Sequence, residues 1–190
     1  MLLVGSRALN HYIDINRVMH DWDIWCDGIE FGNLVIDFND KIIKSTKQVT
    51  VLEIDNEIVE IKNVNHMDKT DVEIFNDNRK RYFSKHIITP LGACSYPDIQ
   101  TIYDMKKATA ECIDYYKHHY DLKLIEENFA VIKSTHLYIK RLEETKKRLG
   151  ITNENKFKFF HKSALPNGDR VGSIPEYIEH DCRDRDWETI

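Results

Sequence analysis

Apolar and polar positions along the chain follow two rhythms. Near the start, Leu2-Leu3-Val4 is an apolar run that stops at Gly5-Ser6, which predicts a short buried strand entering a helix at a Gly-Ser turn. Asp21-Trp22-Asp23-Ile24-Trp25 predicts a second strand, followed by a turn at Asp27-Gly28. Residues 29–37 are apolar but irregular, and their pattern selects neither helix nor strand; residues 39–44 read as a short helix. Residues 47–54 and 57–64 read as two strands around Asp55-Asn56, hence a hairpin. Asp68-Lys69-Thr70-Asp71 has the form of a helix start. Thr89-Pro90-Leu91-Gly92 then breaks the chain.

Beyond the break the rhythm is helical. Ile99, Ile102, Tyr103, Ile113, Tyr116, Tyr120 and Leu124 recur at three- and four-residue steps behind Pro97, which suits a first helical position. Residues 134–149 predict another helix, with Gly150 as its C-cap. The expected fold is therefore α+β: a small mixed sheet with helices packed on it in residues 1–90, and a helical region in residues 91–190.

Composition narrows the class. The chain has 190 residues, 42% hydrophobic and 31% charged, enough for one large domain or a domain with a helical extension. Its apolar runs fall short of the roughly 20 residues that cross a bilayer, and residues 1–4 are too short for a signal peptide before Arg7 interrupts them. Cys26, Cys94, Cys112 and Cys182 are scattered without paired spacing, which argues against a zinc site or a disulfide framework and for a reducing cytoplasm. A formal net charge of −5 argues against a chain coated in nucleic acid, though not against a local basic groove. Abundant Lys, Asn and Ile suggest an AT-rich genome such as a phage's.

The candidate chemistry begins at Asp21 and Asp23. Residues two apart on a strand share a face, so these carboxylates project side by side and repel. A divalent cation removes that repulsion, and magnesium prefers one or two carboxylates together with substrate phosphate oxygens. Gly5 lets the backbone approach a phosphate, and Ser6 at a helix start offers a hydroxyl and nearby N–H groups to an anion. Each also has a plain reading: a turn glycine, an N-cap serine, and solvated strand carboxylates.

Taken together, a hydrophobic strand, Gly5-Ser6 and then Asp21-Trp22-Asp23 closely resemble the signature of the DNA polymerase beta-like nucleotidyltransferase superfamily. Leu3-Val4-Gly5-Ser6-Arg7-Ala8 is similar to the form found in its small bacterial and phage members. Asn10 departs from a frequent second Gly, and His20 from a frequent Ser; neither change removes a metal ligand. The resemblance covers residues 1–75 at the level of motifs. It implies two magnesium ions held by Asp21, Asp23 and a third carboxylate on a neighbouring strand. Glu60, in Val59-Glu60-Ile61, is the favoured third ligand, with Glu73 and Glu53 as alternatives. It also implies an NTP substrate such as ATP, held by Gly5, Ser6, Arg7 and Lys117, and transfer of NMP to an RNA, a protein or a small molecule. A non-catalytic, antitoxin-like or interaction protein on the same fold is the alternative.

Other stretches carry weaker signals. Residues 77–86 form a basic run with two aromatics, able to meet phosphates or simply face solvent. Lys117 and Asp121 are four apart and can share a helix face, either serving a triphosphate or forming an exposed ion pair. His180-Asp181 resembles the core of an HD phosphohydrolase metal site, with His118, His119, His136 or His161 before it and Asp184 or Asp186 after it. That is a third reading of function.

Overall fold

The computed structural model describes residues 1–16, 18–79, 86–114, 116–151 and 159–160. His180-Asp181, Cys182, Asp184, Asp186, His161 and most of the basic run at 77–86 lie outside them. The chain forms two compact units, residues 1–102 and 103–190. The fold is α+β, as the pattern predicts.

In the first unit the elements run β1 (Leu2–Val4), α1 (Gly5–Asn10), β2 (Asp21–Cys26), α2 (Gly28–Asp37), β3 (Ile42–Ser45), β4 (Val49–Ile54), β5 (Glu57–Asn63), α3 (Lys69–Arg79), β6 (Ile87–Thr89) and β7 (Gly92–Cys94). The sheet has the order β1-β2-β5-β4-β3. Within it β2 and β5 are parallel, and the other neighbours are antiparallel. A parallel pair needs a crossover, which here comprises α2 and the strands β3 and β4. Asp55 and Asn56 turn the β4–β5 hairpin with φ of 51° and 64°, the positive range that Asn and Asp tolerate. The free edge of β1 is covered in turn, since Leu3 N donates to Ser95 O at 2.8 Å. Ile24, Leu52, Val59 and Ile61 are fully buried and form the core beneath the sheet, each worth about 1.5–3 kcal/mol of burial.

Two local expectations are corrected. Residues 39–44 do not make one helix: a 3-10 turn at Asn39–Lys41 passes directly into β3. The irregular stretch after Gly28 is the helix α2, and its start is specified by a capping box. Asp27 accepts from Ile29 N at 3.0 Å and Glu30 N at 2.8 Å, while Glu30 Oε2 accepts from Asp27 N at 3.3 Å. Arg79, at the end of α3, donates to Asp27 Oδ2 at 2.6 Å and ties the two helices together.

The second unit contains most of α4 (Ile99–Ala110), then β8 (Ile113–Asp114), α5 (Tyr116–Asn128), α6 (His136–Arg148) and β9 (Phe159–Phe160), with β8 and β9 parallel. The predicted helical run from Pro97 is thus two helices interrupted by a short strand. One of its polar contacts is deeply buried. Lys106 Nζ on α4 donates to Asp121 Oδ2 on α5 at 2.7 Å, with side chains only 5% and 0% exposed. Thr135 caps α6 by accepting from Tyr138 N and also donates to Asp104 Oδ2 on α4 at 2.6 Å. Tyr103 and Tyr138 donate to Glu126 and Glu111, and burial together with those carboxylates pushes both phenols well above their ordinary range. Gly150 follows α6 with φ of 65°, the left-handed cap expected there.

Two stability predictions follow from these contacts. Burial raises the Asp27 carboxyl, but the hydrogen bonds and Arg79 lower it further, so it sits below its ordinary value of 3.8. Its contribution is therefore complete above about pH 4 and is lost as pH falls through the depressed value. Asp27→Ala should cost about 1–2 kcal/mol near neutrality. Urea titrations at a series of pH values should show that gap closing below about pH 4. Lys106→Met strands a buried carboxylate and should cost about 3–5 kcal/mol in the same assay, whereas Lys106→Met with Asp121→Leu should recover much of the loss.

Candidate functional site

Strand β2 carries Asp21 and Asp23 on one face, while Trp22 and Ile24 point to the other. The parallel register sets Asp23 opposite Glu60 and Asp21 opposite Ile58, so Glu60 joins the same face beside Asp23. All three carboxylate-bearing residues are half-buried. Of the alternatives, Glu53 shares this face but lies one strand further out, exposed on β4 opposite Ile58, and Glu73 is exposed on α3.

Lys62 completes this face. It follows Glu60 by two residues on β5, and its Nζ lies 2.6 Å from Glu60 Oε1. Burial lowers the Lys62 pKa, but the carboxylates of Glu60, Asp23 and Asp71 outweigh it and hold the ammonium above its ordinary range. Lys62 is therefore a fixed positive charge at neutral pH. Its side chain is 29% exposed and that of Glu60 17%, so water reaches the pair but screens it incompletely. Sequence reasoning missed Lys62 and the buried Asp71. The signal for Lys62 was the strand's own period of two, counted on from Glu60.

Gly5 begins α1, one residue ahead of the expected helix start at Ser6. Its φ is +72°, and a Cβ there would lie 2.4 Å from Asp23 Oδ2. The Asp23 carboxylate thus rests against the bare backbone at the strand-to-helix turn. Val4 precedes the helix without a side-chain cap bond, and Ser6 is its second residue. Arg7 is engaged on the Trp22 side of the sheet. Its guanidinium carbon stands 4.0 Å over the Trp22 ring, Nη2 donates to Glu57 Oε1 at 3.0 Å, and Nε donates to Asp21 O at 2.9 Å. Glu57 Oε2 also accepts from Trp22 Nε1 at 3.0 Å.

Lys117 lies on α5, in the second unit. The exposed pair expected between Lys117 and Asp121 is corrected, since Asp121 is fully buried and bonded to Lys106. Cys26, Cys94 and Cys112 are buried and form no disulfide among the described residues, and burial raises the thiols of Cys26 and Cys94.

The donor chemistry of Asp21, Asp23 and Glu60 is hard carboxylate oxygen, which suits magnesium. Glu60 is turned onto Lys62, and among the described residues no group of three His, Cys, Asp or Glu side chains converges as a metal cage. A cation already sits against Glu60: the Lys62 ammonium.

Fold and site together define an α+β protein whose parallel strands β2 and β5 carry Asp21, Asp23 and Glu60 on one face of a mixed sheet. The chain matches, over residues 1–185, the family described as Domain of unknown function (DUF7277), and it belongs to that family. Among solved structures it is similar to JHP933 from Helicobacter pylori, at 17% identity and a TM-score of 0.40, with 81% of this chain and 69% of that chain covered. No curated protein matches it. Among the described residues no helix is long and apolar enough to cross a membrane.

Gly5 can be tested directly. Gly5→Ala should cost about 1–2 kcal/mol for the left-handed backbone, and more for the collision with Asp23. Asp23→Ala in the same chain should relieve the collision but not the backbone strain. Urea denaturation of the four proteins in the cycle would measure this, and additive effects would show that the Gly5–Asp23 contact carries no energy.

Proposed function

We propose that the protein is a magnesium-dependent nucleotidyltransferase of the cytoplasm. It would move an NMP group from an NTP to a hydroxyl of an RNA, a protein or a small molecule. The observation that carries this reading is the register that sets Glu60 beside Asp23, with Asp21 on the same face. Magnesium bound by Asp21, Asp23 and Glu60 would neutralise phosphate oxygens and favour ionisation of the acceptor hydroxyl.

The chain's own residues do the rest. Gly5 lets the Asp23 carboxylate lie against the backbone at the turn. Ser6 offers its hydroxyl to the terminal phosphates. Arg7 grips Glu57 and the Asp21 carbonyl from the Trp22 face, and so fixes α1 and the turn that carries Ser6. In the reaction the acceptor oxygen bonds the α-phosphorus, the bond from that phosphorus to the bridging oxygen breaks, and pyrophosphate leaves. The hydroxyl proton passes to a carboxylate of the cluster. Positioning and charge neutralisation supply most of the acceleration in such transfers.

A second reading has its own observation. The Lys62 ammonium on Glu60 lets the cluster stand without a metal, as a non-catalytic interaction module would require. Incubation with each α-labelled NTP and magnesium, with and without cell RNA, separates the two. Labelled acceptor that falls to background in both Asp21→Asn and Asp23→Asn is expected. Near-normal transfer by either variant would overturn the metal assignment, and no label from any NTP with the folded wild type would favour the module.

A further inference from the structure

Lys62 has no part in the steps above, yet it is bonded to one of the three carboxylates they need. It reaches Glu60 at 2.6 Å, and Asp23 and Asp71 also act on its charge. Asp71 is 1% exposed on α3, so part of this negative charge is held away from water. The cluster thus attracts cations strongly, and Lys62 is the cation in place. A divalent ion approaching Glu60 meets the ammonium, and the two positive charges repel at short range. Lysine carries that charge on a flexible four-carbon stem, so the head can leave one acceptor for another without moving the strand.

We propose that Lys62 is an internal counter-ion that competes with the divalent metal for Glu60 and, once displaced, binds the triphosphate of the nucleotide. This rests on the nucleotidyltransferase reading of the site and extends it to a residue with a specific task. Metal binding frees the ammonium, and the freed ammonium holds a phosphate, so metal and nucleotide strengthen each other's binding. Reciprocity follows from linkage: the nucleotide must tighten the metal by the same factor.

The test uses manganese as the probe ion, followed by electron paramagnetic resonance on the full chain. Without nucleotide, Lys62→Met and Lys62→Gln should bind Mn²⁺ about tenfold tighter than wild type or more, because a repelling charge is gone. Lys62→Arg keeps the charge and should stay near wild type. Adding a non-hydrolysable NTP analogue should tighten Mn²⁺ in wild type and much less in Lys62→Met. Mn²⁺ affinity unchanged or weaker in folded Lys62→Met and Lys62→Gln, while Glu60→Gln weakens it, would overturn the competition and leave the metal site standing. Mn²⁺ affinity indifferent to both Glu60→Gln and Asp23→Asn would overturn the nucleotidyltransferase reading, and this proposal with it.

Discussion

Carboxylates held opposite one another on adjacent parallel strands repel, and much of the first unit can be understood from how it answers that repulsion. Strand neighbours lie about 4.8 Å apart, so opposed acidic residues share one small patch of the sheet face. Asp23 and Glu60 sit in this relation at the centre of the sheet, while the opposite face at neighbouring positions is Ile24, Val59 and Ile61, all fully buried. An apolar pair in place of the two acids would pack and would cost nothing. Lys62 offsets part of the penalty, and it does so from the same strand and face.

The other side of the same strands explains how so short a helix as α1 is held. Six residues cannot sustain an isolated helix in water. Arg7 supplies the anchor by stacking on Trp22 and bonding both Glu57 and the Asp21 carbonyl. Glu57 opens β5 and Asp21 opens β2, so one guanidinium fixes the helix to the starts of both parallel strands. Gly5 makes the complementary contact from the helix start, where only a residue without Cβ can turn the chain and leave room for Asp23. Helix, strand and carboxylate are therefore positioned by contacts on both faces of the sheet.

Much of this frame was legible from residue order. The strands flanking Asp55-Asn56, the strand holding Asp21 and Asp23, and the helix behind Thr135 all carry local signals that the fold respects. The helix α2 was not read from periodicity, because the exposed Ile29 and Ile36 obscure the i, i+3, i+4 stripe of Phe31, Leu34 and Val35. Its cap was legible: Asp27 and Glu30 have the capping-box spacing. Residues 42–44 were read as part of a helix because an edge strand with three exposed positions shows no alternation. That Glu60 rather than Glu73 neighbours Asp23 depends on strand register, a long-range property that no local pattern contains. The pairing of Lys106 with Asp121 has the same character, since the i,i+4 rule pointed to Lys117 instead.

Both units pair opposite charges at bonding distance: Arg7 with Glu57 and Lys62 with Glu60 in the first, Lys106 with Asp121 in the interior and Lys133 with Glu126 nearer the surface in the second. A pair as buried as Lys106–Asp121 adds little net stability, because desolvation cancels most of the attraction, but it disfavours any packing of α4 on α5 that would separate the partners. In the first unit the Lys62 ammonium bonds Glu60 on its own strand and is acted on by the carboxylates of Asp23 on β2 and Asp71 on α3, so one cation links three elements of that unit.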